Sequence, residues 1–155
     1  MRIITKNKYA NLNYDIVDKF DAGIVLAWHE VKSAKTWNVN IKDAIVKIID
    51  NEIFITNMDI PLYSKTNINL VPGYQPKWMR KLLLKRKEII KLGERTTKTG
   101  LTIIPLKFYE DIKKRLKMEI WLGKLRKKVE KKQIIKERDI QRESQKEIKN
   151  LKIWY

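Results

Sequence analysis

The sequence predicts a mainly β domain, a small antiparallel barrel with a helix inserted, followed by a basic tail. Three observations predict it. Short β-branched and aromatic runs recur with turn residues between them. A single segment carries helical spacing and falls among those runs. After Leu122 the apolar residues thin out while charge accumulates.

Tyr14–Phe20 (YDIVDKF) and Ile24–Trp28 (IVLAW) read as strands, with Asp21-Ala22-Gly23 as the turn between them. Glu30–Lys35 reads as one helical turn leaving the barrel rim. Ala44–Ile49 and Ile53–Ile60 flank Asp50-Asn51-Glu52, a hairpin signal, and Pro61 ends the second run. Tyr63–Pro76 is polar, with two prolines and a glycine, and reads as a loop. Lys81–Lys91 (KLLLKRKEIIK) sets Leu83, Leu84 and Ile90 at helical spacing, with Gly93 as its C-cap. Leu101–Tyr109 is a further strand, and Leu116–Leu122 alternates and pairs with it. The set suggests a closed or half-closed barrel of the OB type, with a β-sandwich as the alternative topology.

The predicted division is a barrel over residues 1–123 and a tail over 124–155. The tail's apolar positions are sparse: Ile134, Ile135, Ile140, Ile148, Leu151 and Ile153. Asp139/Arg142 and Glu143/Lys146 are spaced to pair on a helix. Such a stripe supports no independent fold, so the tail is expected to be disordered alone and helical from about Ile134 when bound.

Charge identifies the kind of partner. With 35 basic and 18 acidic residues the chain carries a formal +17, so it should meet a polyanion. The density peaks in Lys113–Lys132, where ten basic residues stand against Glu119 and Glu130. The absence of cysteine excludes a disulfide framework and a zinc knuckle, and it fits a reducing compartment. Met1–Leu12 contains no apolar segment of signal-peptide type, and no apolar run is long enough to span a bilayer. A cytoplasmic protein is expected.

The most distinctive block is Ala22-Gly23-Ile24-Val25-Leu26 running into Glu30-Val31-Lys32-Ser33. An apolar run ends abruptly in a carboxylate, an amine and a hydroxyl, the chemistry of contacts to a polar partner. A Glu on a basic chain repels phosphate, so Glu30 would accept from base amino groups or orient Lys32. The plain alternative is a surface Glu favoured by the helix dipole. His29-Glu30 begins a zinc-protease pattern, but Ser33 occupies its second histidine position and the chain has no other histidine. No phosphate-loop motif is present, and one histidine with scattered carboxylates offers no acid–base pair, so no enzyme, cofactor or metal is expected. The aromatics Trp28, Trp37, Trp78, Trp121, Trp154 and Tyr155 are stacking candidates or packing residues. Trp154 and Tyr155 stand out because no core is expected at the chain end.

Five stretches in one order resemble the SmpB (SsrA-binding protein) family. They are Asn7-Lys8 followed by Tyr14; Ala22–Leu26 with Glu30–Ser33; Arg80–Leu84 with Glu88-Ile89; Gly100-Leu101-Thr102 with Pro105-Leu106 and Tyr109; and Ile135–Asp139. Trp28, Leu125-Arg126-Lys127, Glu130-Lys131-Lys132 and the Glu110–Arg115 loop depart from the family pattern. The resemblance implies an OB-type barrel that clamps the tRNA-like domain of transfer-messenger RNA (tmRNA) and delivers it to stalled ribosomes for trans-translation. It implies tmRNA contacts at Asn7, Lys8, Glu30, Lys32, Ser33, Arg80 and Lys81. It implies contacts to small-subunit rRNA in the decoding region at Lys124, Lys127, Lys128, Lys131, Lys132, Lys136 and Arg138. Elongation factor Tu would be met indirectly, through the charged tmRNA, and the protein would act as a monomer. A generic OB-type ribosome-associated RNA binder is the competing reading; it accounts for charge and barrel but not for five ordered motifs.

Overall fold

The computed structural model describes residues 1–153. Seven strands form one antiparallel sheet: β1 (Arg2–Lys6), β2 (Tyr14–Ile24), β3 (Ile45–Ile49), β4 (Glu52–Thr56), β5 (Arg80–Leu83), β6 (Thr102–Glu110) and β7 (Leu116–Leu125). Their spatial order is β1-β6-β7-β2-β5-β4-β3. The helices are α1 (Ala10–Asn13), α2 (Trp28–Lys35), α3 (Arg86–Thr99) and α4 (Lys128–Ile153).

The sheet is not closed. β1 and β3 are its edges, and among the described residues no hydrogen-bonded ladder joins them. β3 still curls toward β6: Val46–Ile49 and Leu101–Ile103 line one groove together with Gly93, Thr96 and Thr97 of α3. α3 thus lies along the open seam, where Leu92 is buried in the core. Asp18 pins that helix to β2 through Lys91 Nζ and Arg95 Nη1, each at 3.1 Å. The lysine's hydrogen bond holds the Asp18 carboxyl below the ordinary value.

Two apolar clusters flank the middle of the sheet. The larger gathers Ala22, Ile53, Ile55, Leu82, Ile103, Phe108, Met118, Ile120 and Leu122; the smaller holds Ala10, Ile104, Leu106 and Trp121. β-Bulges assign side chains to them. The register shifts between Ile16 and Asp18 in β2, and between Pro105 and Lys107 in β6. Each extra residue turns the following side chains to the other face. Ile16 therefore packs beside the smaller cluster while Phe20 and Ala22 belong to the larger, and Leu106 and Phe108 divide the same way. Pro105, lacking an N–H, sits where the ladder is already broken.

Several elements differ from the sequence reading. Asp21–Gly23 is no turn: β2 continues through it because β7 is long enough to pair through Gly23↔Lys117. Ile24–Trp28 is no separate strand: β2 ends at Ile24, Val25–Ala27 lead out of the sheet, and α2 starts at Trp28 with two turns of helix where one was expected. Arg80–Leu83 is strand β5, since Leu82 fills the slot between Ile24 of β2 and Ile53 of β4. The inserted helix starts later, at Arg86, and runs through Gly93 to Gly100, whose φ of 64° makes it the true left-handed cap. The β3–β4 hairpin forms where read, but its turn is only Asp50-Asn51, at φ 51° and 60° in a tight primed turn, since Glu52 already pairs with Ile49 as the first residue of β4. β4 ends at Thr56, before Asn57 at φ 60°, and Pro61 plays no part in stopping it. β1 and α1 have no counterpart in the sequence reading.

The tail, expected to be disordered in the free protein, is helical from Lys128 without a partner. Its start is fixed to the body. Arg126 donates its amide to the Asn13 carbonyl at 2.8 Å, and the helix start is capped locally by the Glu130 carboxylate, which accepts the Lys127 amide at 2.9 Å. Beyond Ile134 its side chains are exposed as far as Leu151. Trp154 and Tyr155 lie outside the described residues.

Candidate nucleic-acid interface

The Glu30 block folds into a polar knot between α2, the long 57–79 connection and β5. α2 begins where β2 leaves the sheet, and Glu30 sits in its first turn, where its Oε2 accepts the Ala27 amide at 2.9 Å. The other oxygen takes Arg80 Nε at 2.7 Å and Trp78 Nε1 at 3.0 Å, with the Tyr74 hydroxyl oxygen 3.3 Å away. Arg80 Nη2 reaches the same oxygen at 2.6 Å and donates to the Tyr74 hydroxyl at 3.2 Å, and the guanidinium also donates to the carbonyls of Met58 (2.6 Å), Pro76 (2.8 Å) and Trp78 (3.3 Å). Tyr74 donates to the Ile60 carbonyl at 2.6 Å. Ser33, two-thirds of the way along α2, donates to the Pro61 carbonyl at 2.5 Å. His29 is wedged edge-on between Trp28 and Tyr74.

Glu30 is 2% exposed and Arg80 3%, so the knot is a buried, hydrogen-bonded ion pair. Burial alone would raise the Glu30 carboxyl; the Ala27 amide and the Arg80 guanidinium outweigh it and leave the group below its ordinary value. Burial and the Glu30 charge push the Tyr74 hydroxyl up to about 12. Both groups are therefore locked in one protonation state at neutral pH, which suits a frame and not an acid–base catalyst.

This placement sorts the sequence-derived residues. Glu30, Ser33 and Arg80 face inward, and their polar atoms are consumed by the fold. Lys32 is exposed, with its ammonium 5.1 Å from the Trp28 ring centre. Lys81, next to Arg80 along β5, points outward and pairs with Glu52 at 2.6 Å. Glu30 and Arg80 thus join α2 to β5, which leaves Lys32 and Lys81 on the outside of one framework. Asn7 and Lys8 follow β1, and Asn7 Oδ1 accepts the Tyr9 amide at 3.2 Å. Among the described residues no hydrogen bond or ion pair ties Asn7 or Lys8 to the α2–β5 group. Asn7 borders a separate cleft with Tyr9, Asn13, Tyr14 and Lys42. The sequence reading holds Tyr74 only as part of the polar loop Tyr63–Pro76 and Trp78 only as a stacking or packing aromatic, with no link from either to Glu30.

The tail residues divide as well. Lys124 belongs to β7, opposite Asp15, and Lys127 precedes α4. Lys128, Lys131, Lys132, Lys136 and Arg138 lie on α4, all exposed except the half-buried Lys131. Among the described residues no group of His, Cys, Asp and Glu is placed to hold a metal ion, and no helix is long and apolar enough to cross a membrane.

An open antiparallel β-domain carrying strong positive charge and an exposed lysine-rich helix is a polyanion-binding protein, built to recognise shape and phosphate. The chain belongs to the SmpB family, whose description, "SmpB protein", matches residues 4–150. It is 42% identical over 147 residues to the SsrA-binding protein of Coprothermobacter proteolyticus, covering 95% of this chain and 97% of that one. It is 44% identical over 149 residues to the SsrA-binding protein of Malacoplasma penetrans, covering 96% and 99%. Among solved structures, a chain described under "tmRNA-SmpB: a journey to the center of the bacterial ribosome" superposes with a TM-score of 0.64 at 30% identity, covering 80% of this chain and 85% of that one.

Proposed function

We propose that the protein binds the tRNA-like domain of tmRNA and delivers it to stalled ribosomes for trans-translation. The observation that carries this is continuity: the family match spans the β-domain and the exposed helix α4 together, so both parts belong to one function. The names of the relatives supply the RNA, and the solved ribosomal complex supplies the destination.

The body, residues 1–123, is assigned to tmRNA, with contacts from Asn7, Lys8, Lys32 and Lys81. Glu30, Ser33 and Arg80 serve the same site by holding α2, the 57–79 connection and β5 in one shape. The tail, residues 124–155, is assigned to small-subunit rRNA in the decoding region. Lys124, Lys127, Lys128, Lys131, Lys132, Lys136 and Arg138 contact phosphate there. The protein acts as a cytoplasmic monomer without catalysis, and elongation factor Tu is met through the charged tmRNA.

The test is competition binding to the tRNA-like domain against poly-U at one salt concentration. Strong preference for the folded RNA is expected. Equal affinity would replace this reading with that of a generic ribosome-associated RNA binder.

A further inference from the structure

Trp37 ends α2 in a conformation that an indole does not favour. Its φ is 68°, and its amide closes the helix by donating to the Ala34 carbonyl at 3.1 Å. A left-handed residue after a helix is ordinarily Gly or Asn, because a larger side chain crowds the backbone there. Three of the other non-glycine left-handed residues are Asp50, Asn51 and Asn57, types that tolerate the region; the fourth, Lys114, turns the β6–β7 hairpin. Trp37 is the aromatic exception, and core packing does not explain it: the residue is 54% exposed.

The surroundings indicate a ligand. The Arg2 guanidinium stands 5.0 Å from the indole centre. Arg2 is held by Glu110 at 3.1 Å, and Lys35 reaches the other Glu110 oxygen at 3.6 Å. Two cations share one carboxylate, so the patch is net positive around a flat apolar ring. An apolar protein surface would have to desolvate those cations, whereas a nucleotide offers a base to the ring and a phosphate to the charges.

We propose that Trp37, with Arg2 and Lys35, is a stacking platform for an unpaired base of the bound RNA, separate from the framework around Glu30. This rests on the RNA-binding reading above. Trp28 is also exposed, but it lies within a regular helix and carries no such backbone strain.

The experiment measures affinity for the tRNA-like domain, with thermal melting, for wild type and for Trp37→Gly, Trp37→Asn and Trp37→Tyr. Gly and Asn suit the backbone and lack a large aromatic ring. Both should melt no lower than wild type yet bind roughly 5- to 150-fold more weakly, the range of one base–aromatic stack. Tyr should recover most of the affinity. The platform is overturned if Gly or Asn binds as tightly as wild type, or if Tyr binds no better than Gly. Failure of wild type to bind the RNA would overturn the RNA-binding reading itself.

Discussion

Arg80 and Glu30 meet at 2.6 Å with side chains 2% and 3% exposed. They are fifty positions apart in sequence, and their pairing closes the polar connection of residues 57–79 over the end of α2. On a chain of +17, this acidic group neutralises no surface charge; it holds an arginine inside.

Removing one partner should be costly. Glu30→Ala strands a buried guanidinium, and a loss of about 3–5 kcal/mol in urea unfolding is expected. Replacing both partners by apolar residues, Glu30→Leu with Arg80→Met, should cost less than the single change. RNA affinity of Glu30→Ala should fall even though net positive charge rises, because the framework is lost. Tighter RNA binding by a folded Glu30→Ala protein would show that the framework around Glu30 does not shape the RNA site.

Acid should reveal the same pair. The folded Glu30 carboxyl lies below its ordinary value of 4.5, so its ionised form stabilises the fold. That contribution is complete above 4.5 and is lost as pH falls through the lower folded value. The stability gap between wild type and Glu30→Gln should be level from neutral pH down to about 4.5 and shrink below it. A gap that widened on acidification would contradict the depressed value.

Salt dependence should separate contacts from framework. Neutralising a lysine that touches phosphate lowers the slope of log K against log salt by about 0.7–0.9. Lys8→Gln, Lys32→Gln and Lys81→Gln should each do so in binding to the tRNA-like domain. Ser33→Ala, whose hydroxyl is buried against the Pro61 carbonyl, should weaken binding without changing the slope. Unchanged slopes in all three lysine variants would move the phosphate contacts elsewhere.

The tail should be separable from the body. Deleting Lys131–Tyr155 leaves the Arg126–Asn13 hydrogen bond and both apolar clusters intact. Melting temperature and affinity for the tRNA-like domain should stay close to wild type, while peptide tagging on stalled ribosomes should be abolished. Far-ultraviolet circular dichroism should lose the helical signal of α4. Unfolding of the truncated protein, or normal tagging by it, would refute the division.

The sequence by itself determined the chemistry of the partner and most of the local structure. Charge, the Asp50-Asn51 turn, the Leu101–Tyr109 and Leu116–Leu122 strands and the five ordered motifs are local or additive properties, legible without coordinates. Tertiary structure decided where strand pairing overruled spacing. Lys81–Leu83 looks like the start of a helix but completes two ladders within β5, and Asp21–Gly23 looks like a turn but is held straight by β7. Bulges in β2 and β6 decide which face each apolar residue joins, and no alternation pattern announces them. The site divides on the same line. Lys8, Lys32 and Lys81 are cations wherever the chain runs, whereas the inward turn of Glu30 and Arg80 depends on Tyr74, Trp78 and three carbonyls that converge on them, and that of Ser33 on the Pro61 carbonyl. A carboxylate's role depends on what satisfies its oxygens, and for Glu30 that is settled by residues more than forty positions away.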